Sequence, residues 1–184
     1  MDSEVGIGHR VGVAGVDFVI VSGPPGSGKT TLAEPLATRL RLPFLSKDII
    51  KEAMMDVLDV DTVEYSRRIG GAAIAALFAV ARANGRGVLE SFWSARSVDD
   101  LSGLGGVIVE VFSDVDPVVS HRRYLDRAAT RHRGHFDLDR GDDVLLWQGA
   151  ALQPIAGRWP VLRVDTSAPV DIGALARAVV DAAR

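Results

Sequence analysis

Phe18-Val19-Ile20-Val21-Ser22-Gly23-Pro24-Pro25-Gly26-Ser27-Gly28-Lys29-Thr30-Thr31 is the stretch that decides how the rest of the chain is read. Its first four residues are apolar and largely β-branched, a pattern that predicts a short buried strand. They end abruptly in Gly, Pro and Ser, which calls for a tight loop. Residues 23 to 30 satisfy G-x-x-x-x-G-K-[ST] at every fixed position. The physical use of that pattern is anion capture. Glycines let successive backbone N–H groups converge on phosphate oxygens with no Cβ in the way. From Lys29 onward, Leu32, Leu36, Ala37 and Leu40 recur at helical spacing. The positive end of a helix dipole therefore faces the same anion. Gly23, Pro24, Pro25, Gly26, Ser27, Gly28, Lys29, Thr30 and Thr31 are the expected nucleotide-binding residues. Lys29 is expected on the β- and γ-phosphates and the Thr30 hydroxyl on Mg²⁺. A glycine-rich turn that matches by accident is the alternative, and a strand before it with a helix after it argues against that.

Outward from this loop, strands and helices alternate. Residues 43–46, 87–91, 106–112 and 161–164 read as further strands. Helices are expected from residue 46 or 47 to about 57, over 62–84, 117–130 and 140–151, and over 170–183. The small residues Gly70, Gly71, Ala72, Ala73, Ala75 and Ala76 predict close packing of the long helix on a sheet, and Asn84-Gly85 is a good stop. Pro35 sits inside the first helix and should weaken or kink it. Alternation of this kind implies an α/β fold, one domain with a five-stranded parallel sheet covered by helices on both faces. Residues 1–16 read as a flexible leader, 17–184 as the domain, and about 117–140 as a helical lid.

Composition narrows the class. The chain has 184 residues, 47% of them hydrophobic and 24% charged, with a net charge of −3. That balance supports a real core, and it lacks the basic surplus of proteins that wrap nucleic-acid backbones. The absence of cysteine excludes disulfides, thiolate nucleophiles and cysteine-bound zinc. No apolar run approaches the ~20 residues that span a bilayer, and Asp2 and Glu4 do not suit a secretory signal. A cytoplasmic location is expected.

A phosphate-binding loop alone leaves kinases, GTPases, motors and transporters open. Length argues against a motor with a lid domain, and neither a strand ending in Asp-Glu nor an Asn-Lys-x-Asp motif is present. The succession strand, phosphate loop, helix, short strand and then Ser46-Lys47-Asp48-Ile49-Ile50-Lys51-Glu52-Ala53-Met54 resembles the small P-loop kinases related to chloramphenicol phosphotransferase and the zeta toxins. More distantly it is similar to shikimate and gluconate kinases. The resemblance covers the chain from about Phe18 onward. It implies a phosphotransferase that uses ATP and Mg²⁺ to phosphorylate a hydroxyl of a small molecule, an antibiotic, sugar or related metabolite. It also implies that Asp48 faces the acceptor hydroxyl as base or orienter. The physical argument agrees, because the carboxyl ends of parallel strands surround the ligand crevice. An ordinary helix-start acid, with Ser46 as cap, is the alternative.

Glu90 ends the third strand on the same rim, where it is expected to hold a Mg²⁺-bound water or a substrate group. Phe92 and Trp93 are expected to wall the acceptor, or else to pack under a loop. Residues 121–137 carry five arginines. Arg123, Arg127 and Arg131 are spaced to share one helical face, and arginines on a closing lid stabilise a phosphoryl transition state. Arg127 and Arg131 are the catalytic candidates beside Lys29 and Asp48. A solvated helix face, a nucleic-acid patch, or a metal site from His132, His135 and Asp137 are the alternatives. Thr166, after the last strand, resembles the loop position that lies against the adenine edge in nucleotide and shikimate kinases. Two other functions stay open: a nucleoside or polynucleotide 5′-hydroxyl kinase, and a nucleotide-binding switch with slow ATPase.

Overall fold

The computed structural model of the chain describes residues 15–128, 130–136 and 146–184. Its strands are β1 (Phe18–Ser22), β2 (Phe44–Ser46), β3 (Gly87–Glu90), β4 (Ile108–Asp114) and β5 (Val161–Asp165). They form one sheet of order β2-β3-β1-β4-β5, and every pairing is parallel. β1 lies in the middle and is buried along its whole length, as a continuous apolar run requires. Side chains alternate across the pleat, so Val19 and Val21 enter one core cluster and Phe18 and Ile20 the other. Helices α1 (Lys29–Leu40) and α6 (Ile172–Ala182) close the first cluster. Helix α3 (Val63–Asn84) and the short α4 (Val98–Ser102) close the second. Each fully buried Leu, Ile or Phe in these layers contributes roughly 1.5–3 kcal/mol relative to an exposed one.

Two further helices, α2 (Lys47–Met55) and α5 (Pro117–Ala128), stand at the carboxyl rim of the sheet. Chain order places β3 on one side of β1 and β4 on the other. The crevice of such a sheet opens where the connections diverge, which here is the end of β1.

Several boundaries differ from the sequence expectations. β4 starts two residues late, because Gly105 and Gly106 hold φ of 71° and 70° and keep the chain in a turn. α5 stops at Ala128. Where residues 146–152 are described they form short 3₁₀ turns instead of the end of an α-helix, and Gly149 at φ 54° breaks any regular helix there. Residues 140–145 of that expected helix lie outside the described residues, as do residues 1–14 of the expected leader. Val16 already belongs to the core at 1% exposure. α1 runs unbroken through Pro35, which is exposed.

The small residues of α3 do not all meet the sheet. Ala73 is buried, whereas Gly71, Ala72 and Ala75 are exposed, and the buried stripe is Ser66, Ile69, Ala73, Leu77, Phe78 and Ala81. Long apolar side chains in that stripe win the interior position over alanines. No described helix is long and apolar enough to cross a membrane.

Candidate active site

The loop that leaves β1 is held by glycines for two separate reasons. Gly23, Gly26 and Gly28 adopt φ of 132°, 74° and 85°, which L side chains avoid. In addition, a Cβ on Gly23 would strike the Ser27 hydroxyl and the Ser113 carbonyl, and one on Gly26 would strike the Ser120 carbonyl of α5. The loop is therefore clasped from outside as well as opened toward an anion. Lys29 begins α1 with only 8% of its surface exposed, and its ammonium donates to the Pro24 carbonyl at 2.8 Å. Burial pulls its pKa down to about 8, against the upward pull of Glu90 and Asp48. An ammonium kept in this state has strong reason to donate to a phosphate oxygen.

A cavity of about 260 Å³ opens over the loop. Pro25, Gly26, Gly28, Lys29, Thr30 and Thr31 of the loop and α1 line it together with Lys47, Asp48, Glu90, Phe92, Arg127, Arg131 and His135. A second groove of about 600 Å³ shares Gly26, Gly28, Thr31 and Arg127 with the first and continues along Arg123, residues 166–170 and Ile172. The two form a long trough with the phosphate loop in its middle. Ser27 faces away from both; its hydroxyl is buried beside Gly23 with no hydrogen-bond partner among the described residues.

Asp48 occupies the first turn of α2. Ser46 takes the N-cap position in extended conformation, yet its hydroxyl donates to Glu90 Oε2 at 2.7 Å and caps nothing. That bond ties β2 to β3 at the rim and orients the buried Glu90 carboxylate, which is 5% exposed. Asp48 itself receives Lys47 Nζ on Oδ1 at 2.8 Å and Arg131 Nη2 on Oδ2 at 2.7 Å. Burial alone would raise its pKa, but Lys47 and Arg131 reverse this and hold the carboxyl well below the usual range. A carboxylate so stabilised is a weak base and a good acceptor of a hydroxyl proton's hydrogen bond. The site therefore suits orientation of an acceptor better than its deprotonation.

The three arginines divide their work. α5 ends before Arg131, so only Arg123 and Arg127 share its face. After the helix the chain turns, with Arg131 N–H donating to the Arg127 carbonyl at 3.1 Å, and Arg131 arrives beside Asp48 from that turn. Arg123 leaves the phosphate region and donates to the Thr166 and Ser167 carbonyls at 3.1 and 3.4 Å. Arg127 borders both parts of the trough. Thr166 Oγ1 lies 2.7 Å from the Ser27 carbonyl and 3.1 Å from that of Asp114, joining the loop after β5 to the phosphate loop.

Of the two aromatics expected at the wall, one reaches the cavity. Phe92, 39% exposed, lines the cavity. Trp93 does not. It is 5% exposed, belongs to the core cluster under α3, and packs on Phe78 with ring centroids 5.8 Å apart. Alternation along an extended segment sends adjacent residues to opposite sides, so the two do not both face the cavity. The histidines are likewise engaged. His132 Nε2 lies 3.3 Å from Asp56 and His135 Nε2 2.8 Å from Glu52, and Asp137 is outside the described residues. In the sequence His135 entered only as part of a metal alternative, and Lys47 and Glu52 only within the stretch 46–54, with no role for either. Glu52 and His135 are 83 positions apart, and only the lysine, next to Asp48, had a local signal.

An AAA domain family model matches residues 18–90, from β1 to the Glu90 rim. The crystal structure of a "putative kinase" from Chloroflexus aurantiacus J-10-fl is 33% identical, with a TM-score of 0.81 over 91% of this chain and 98% of that one. A sugar kinase from Janibacter sp. HTCC2649 is 20% identical with a TM-score of 0.56 over 90% of this chain and 95% of that chain, and shares the fold. The cytidylate kinase of Pyrobaculum neutrophilum is 43% identical over 49 residues, 27% of each chain. The match thus spans about a quarter of the length of such curated relatives. Identity sustained over nearly the whole of the Chloroflexus protein, on the same sheet and the same phosphate loop, places this chain in that protein's family of P-loop kinase-fold proteins.

Proposed function

We propose that the chain is an ATP-dependent phosphotransferase that moves the γ-phosphoryl group to a hydroxyl of a small molecule, an antibiotic, sugar or related metabolite. The observation that carries the reading is the Asp48–Arg131 pair facing Lys29 across one cavity. Lys29 and the loop amides would grip the β- and γ-phosphates, and the groove along Arg123 and residues 166–170 would take the nucleoside. Mg²⁺ would be held by the Thr30 hydroxyl, with Glu90 nearby for its waters, and would neutralise charge on the phosphate oxygens. Asp48 would hold the acceptor hydroxyl in line, while Arg127 and Arg131 would meet the charge on the transferred group. Little covalent chemistry is asked of the protein, and positioning and electrostatics supply the rate. Residues 117–140 would act as the lid, closing over both substrates.

The acceptor compartment is small. Drug-sized ligands occupy pockets of roughly 300–1,000 Å³, and about 260 Å³ here must also admit the terminal phosphate. This supports a compact alcohol over a polynucleotide end. The test is a panel of sugars, sugar acids, nucleosides, nucleotides and aminoglycoside or phenylpropanoid antibiotics, scored for stimulated ADP release and for the phosphorylated product. A slow ATPase that no alcohol stimulates would favour the switch reading instead.

A further inference from the structure

The segment after α5 is stitched to α2 at successive turns. Arg131 meets Asp48 at 2.7 Å, His135 meets Glu52 at 2.8 Å, and His132 meets Asp56 at 3.3 Å. Positions 48, 52 and 56 stand four residues apart and so lie on one helical face. From the neighbouring turn, Lys51, buried to 1% exposure, donates to the Ser66 hydroxyl of α3 at 2.7 Å, and that hydroxyl donates in turn to the Gly134 carbonyl. Two histidines thus sit in a seam between the helix that carries Asp48 and the strip that carries Arg131.

His135 is the informative one. It is 3% exposed, and the groups that face it are Arg131, Asp48, Glu52 and Lys51. Arg131 can only donate, and its Nη2 is 3.1 Å from His135 Nδ1 and 3.3 Å from Nε2. Glu52 can only accept when ionised, and it is 2.8 Å from Nε2. Glu52 therefore claims a proton on Nε2, which leaves Nδ1, the nearer nitrogen, to accept from Arg131: the neutral tautomer with its proton on Nε2. We propose that Glu52 and His135 are positioning residues: the carboxylate fixes that tautomer, and the ring then holds the Arg131 guanidinium against Asp48, so that the two groups meet the substrates as one unit. This rests on the phosphotransferase reading for its consequence and on the seam's geometry for its existence.

The ring's titration agrees. Burial, followed by the Arg131 charge, lowers the His135 pKa to about 4, against the upward pull of Asp48 and Glu52. At neutral pH the ring is therefore uncharged and free to accept from Arg131. A protonated ring would set a second cation against the guanidinium.

Two measurements test this. Histidine nitrogen NMR on the whole chain, with the His135 signal assigned by loss in His135→Asn, should show the Nε2–H tautomer at about pH 7, persisting well below the ordinary imidazole range. A cationic ring or the Nδ1–H tautomer there would overturn the proposal whether or not any alcohol is phosphorylated. Kinetics then separate positioning from general structure. Glu52→Ala should lower kcat by about tenfold with the ATP dissociation constant unchanged, and Glu52→Gln, which still accepts from Nε2–H, should restore it to within about twofold. In an Arg131→Ala background, Glu52→Ala should cost less than about twofold, because the group it acts through is gone. An equal loss in both backgrounds would refute the link through Arg131. If wild-type protein transfers phosphate to no alcohol, the functional reading falls and the NMR result still decides the seam.

Discussion

Arg131 Nη2 lies 2.7 Å from Asp48 Oδ2 across 83 residues of sequence. The contact joins the first turn of α2 to the turn that follows α5, and it fixes the direction of the Arg131 guanidinium. Asp48→Asn keeps the shape and removes the charge. It should lower kcat by about 10²-fold, the cost of misplacing a reacting group, with ATP affinity nearly unchanged. Turnover close to wild type, in an ADP-release assay with a good acceptor, would remove Asp48 from the mechanism. Arg131→Ala should cost about 10²-fold or more by loss of charge stabilisation.

Lys29 gives a pH prediction with a definite sign. Its pKa falls from 10.5 to about 8 on folding, so between those values the unfolded chain binds a proton that the folded chain has released. Stability of the ligand-free protein therefore rises with pH across that window. Phosphates favour the ammonium, so above about pH 8 MgATP binding should take up a proton and weaken. Lys29→Met should raise the ligand-free Tm and abolish the upward shift that MgATP gives wild type. A preserved nucleotide-dependent shift in Lys29→Met would contradict this.

Gly26→Ala tests the outer clasp on the phosphate loop. The new methyl would meet the Ser120 carbonyl at a backbone φ of 74°. Strain in that region costs on the order of 1–3 kcal/mol, and either the loop or α5 must give way. Chemical denaturation should show the loss, and calorimetry should show weakened nucleotide binding. Full stability with wild-type affinity would mean that the loop and α5 move apart freely.

Trp93→Ala and Phe92→Ala should separate core from cavity. Trp93 is buried among Phe78, Leu89 and Leu101, so its truncation should cost roughly 3–5 kcal/mol of stability and leave the acceptor KM near wild type. Phe92→Ala should do the reverse. An acceptor KM that rises chiefly in Trp93→Ala would put Trp93 back in the acceptor wall.

Much of this architecture was legible because its signals are local. The run Phe18–Val21 ending in glycine, the fixed positions of residues 23–30, and the apolar spacing of α1 required no tertiary information. The position of Asp48, in the helix turn that opens after β2, was legible too. The rest depended on contacts between distant residues. That Ser46 serves Glu90 instead of capping α2 follows only once β2 pairs with β3. That Arg123 turns to the Thr166 carbonyl while Arg131 turns to Asp48 follows from α5 ending two residues earlier than its pattern suggested. Residues 146–151 differ from the expected helix because of the glycine at 149, whose positive φ breaks it. The buried Glu110 carries no local signal for its role. It accepts from Ser22, the Ile155 N–H and Trp159, and so anchors the foot of the phosphate loop to the segment before β5.

The most direct test of the whole account is titration calorimetry of wild-type protein with ATP in the presence of Mg²⁺, run beside Lys29→Ala. The account predicts saturable uptake at a single site per chain in wild type and none in the variant. Wild-type protein that takes up neither ATP nor GTP would contradict it.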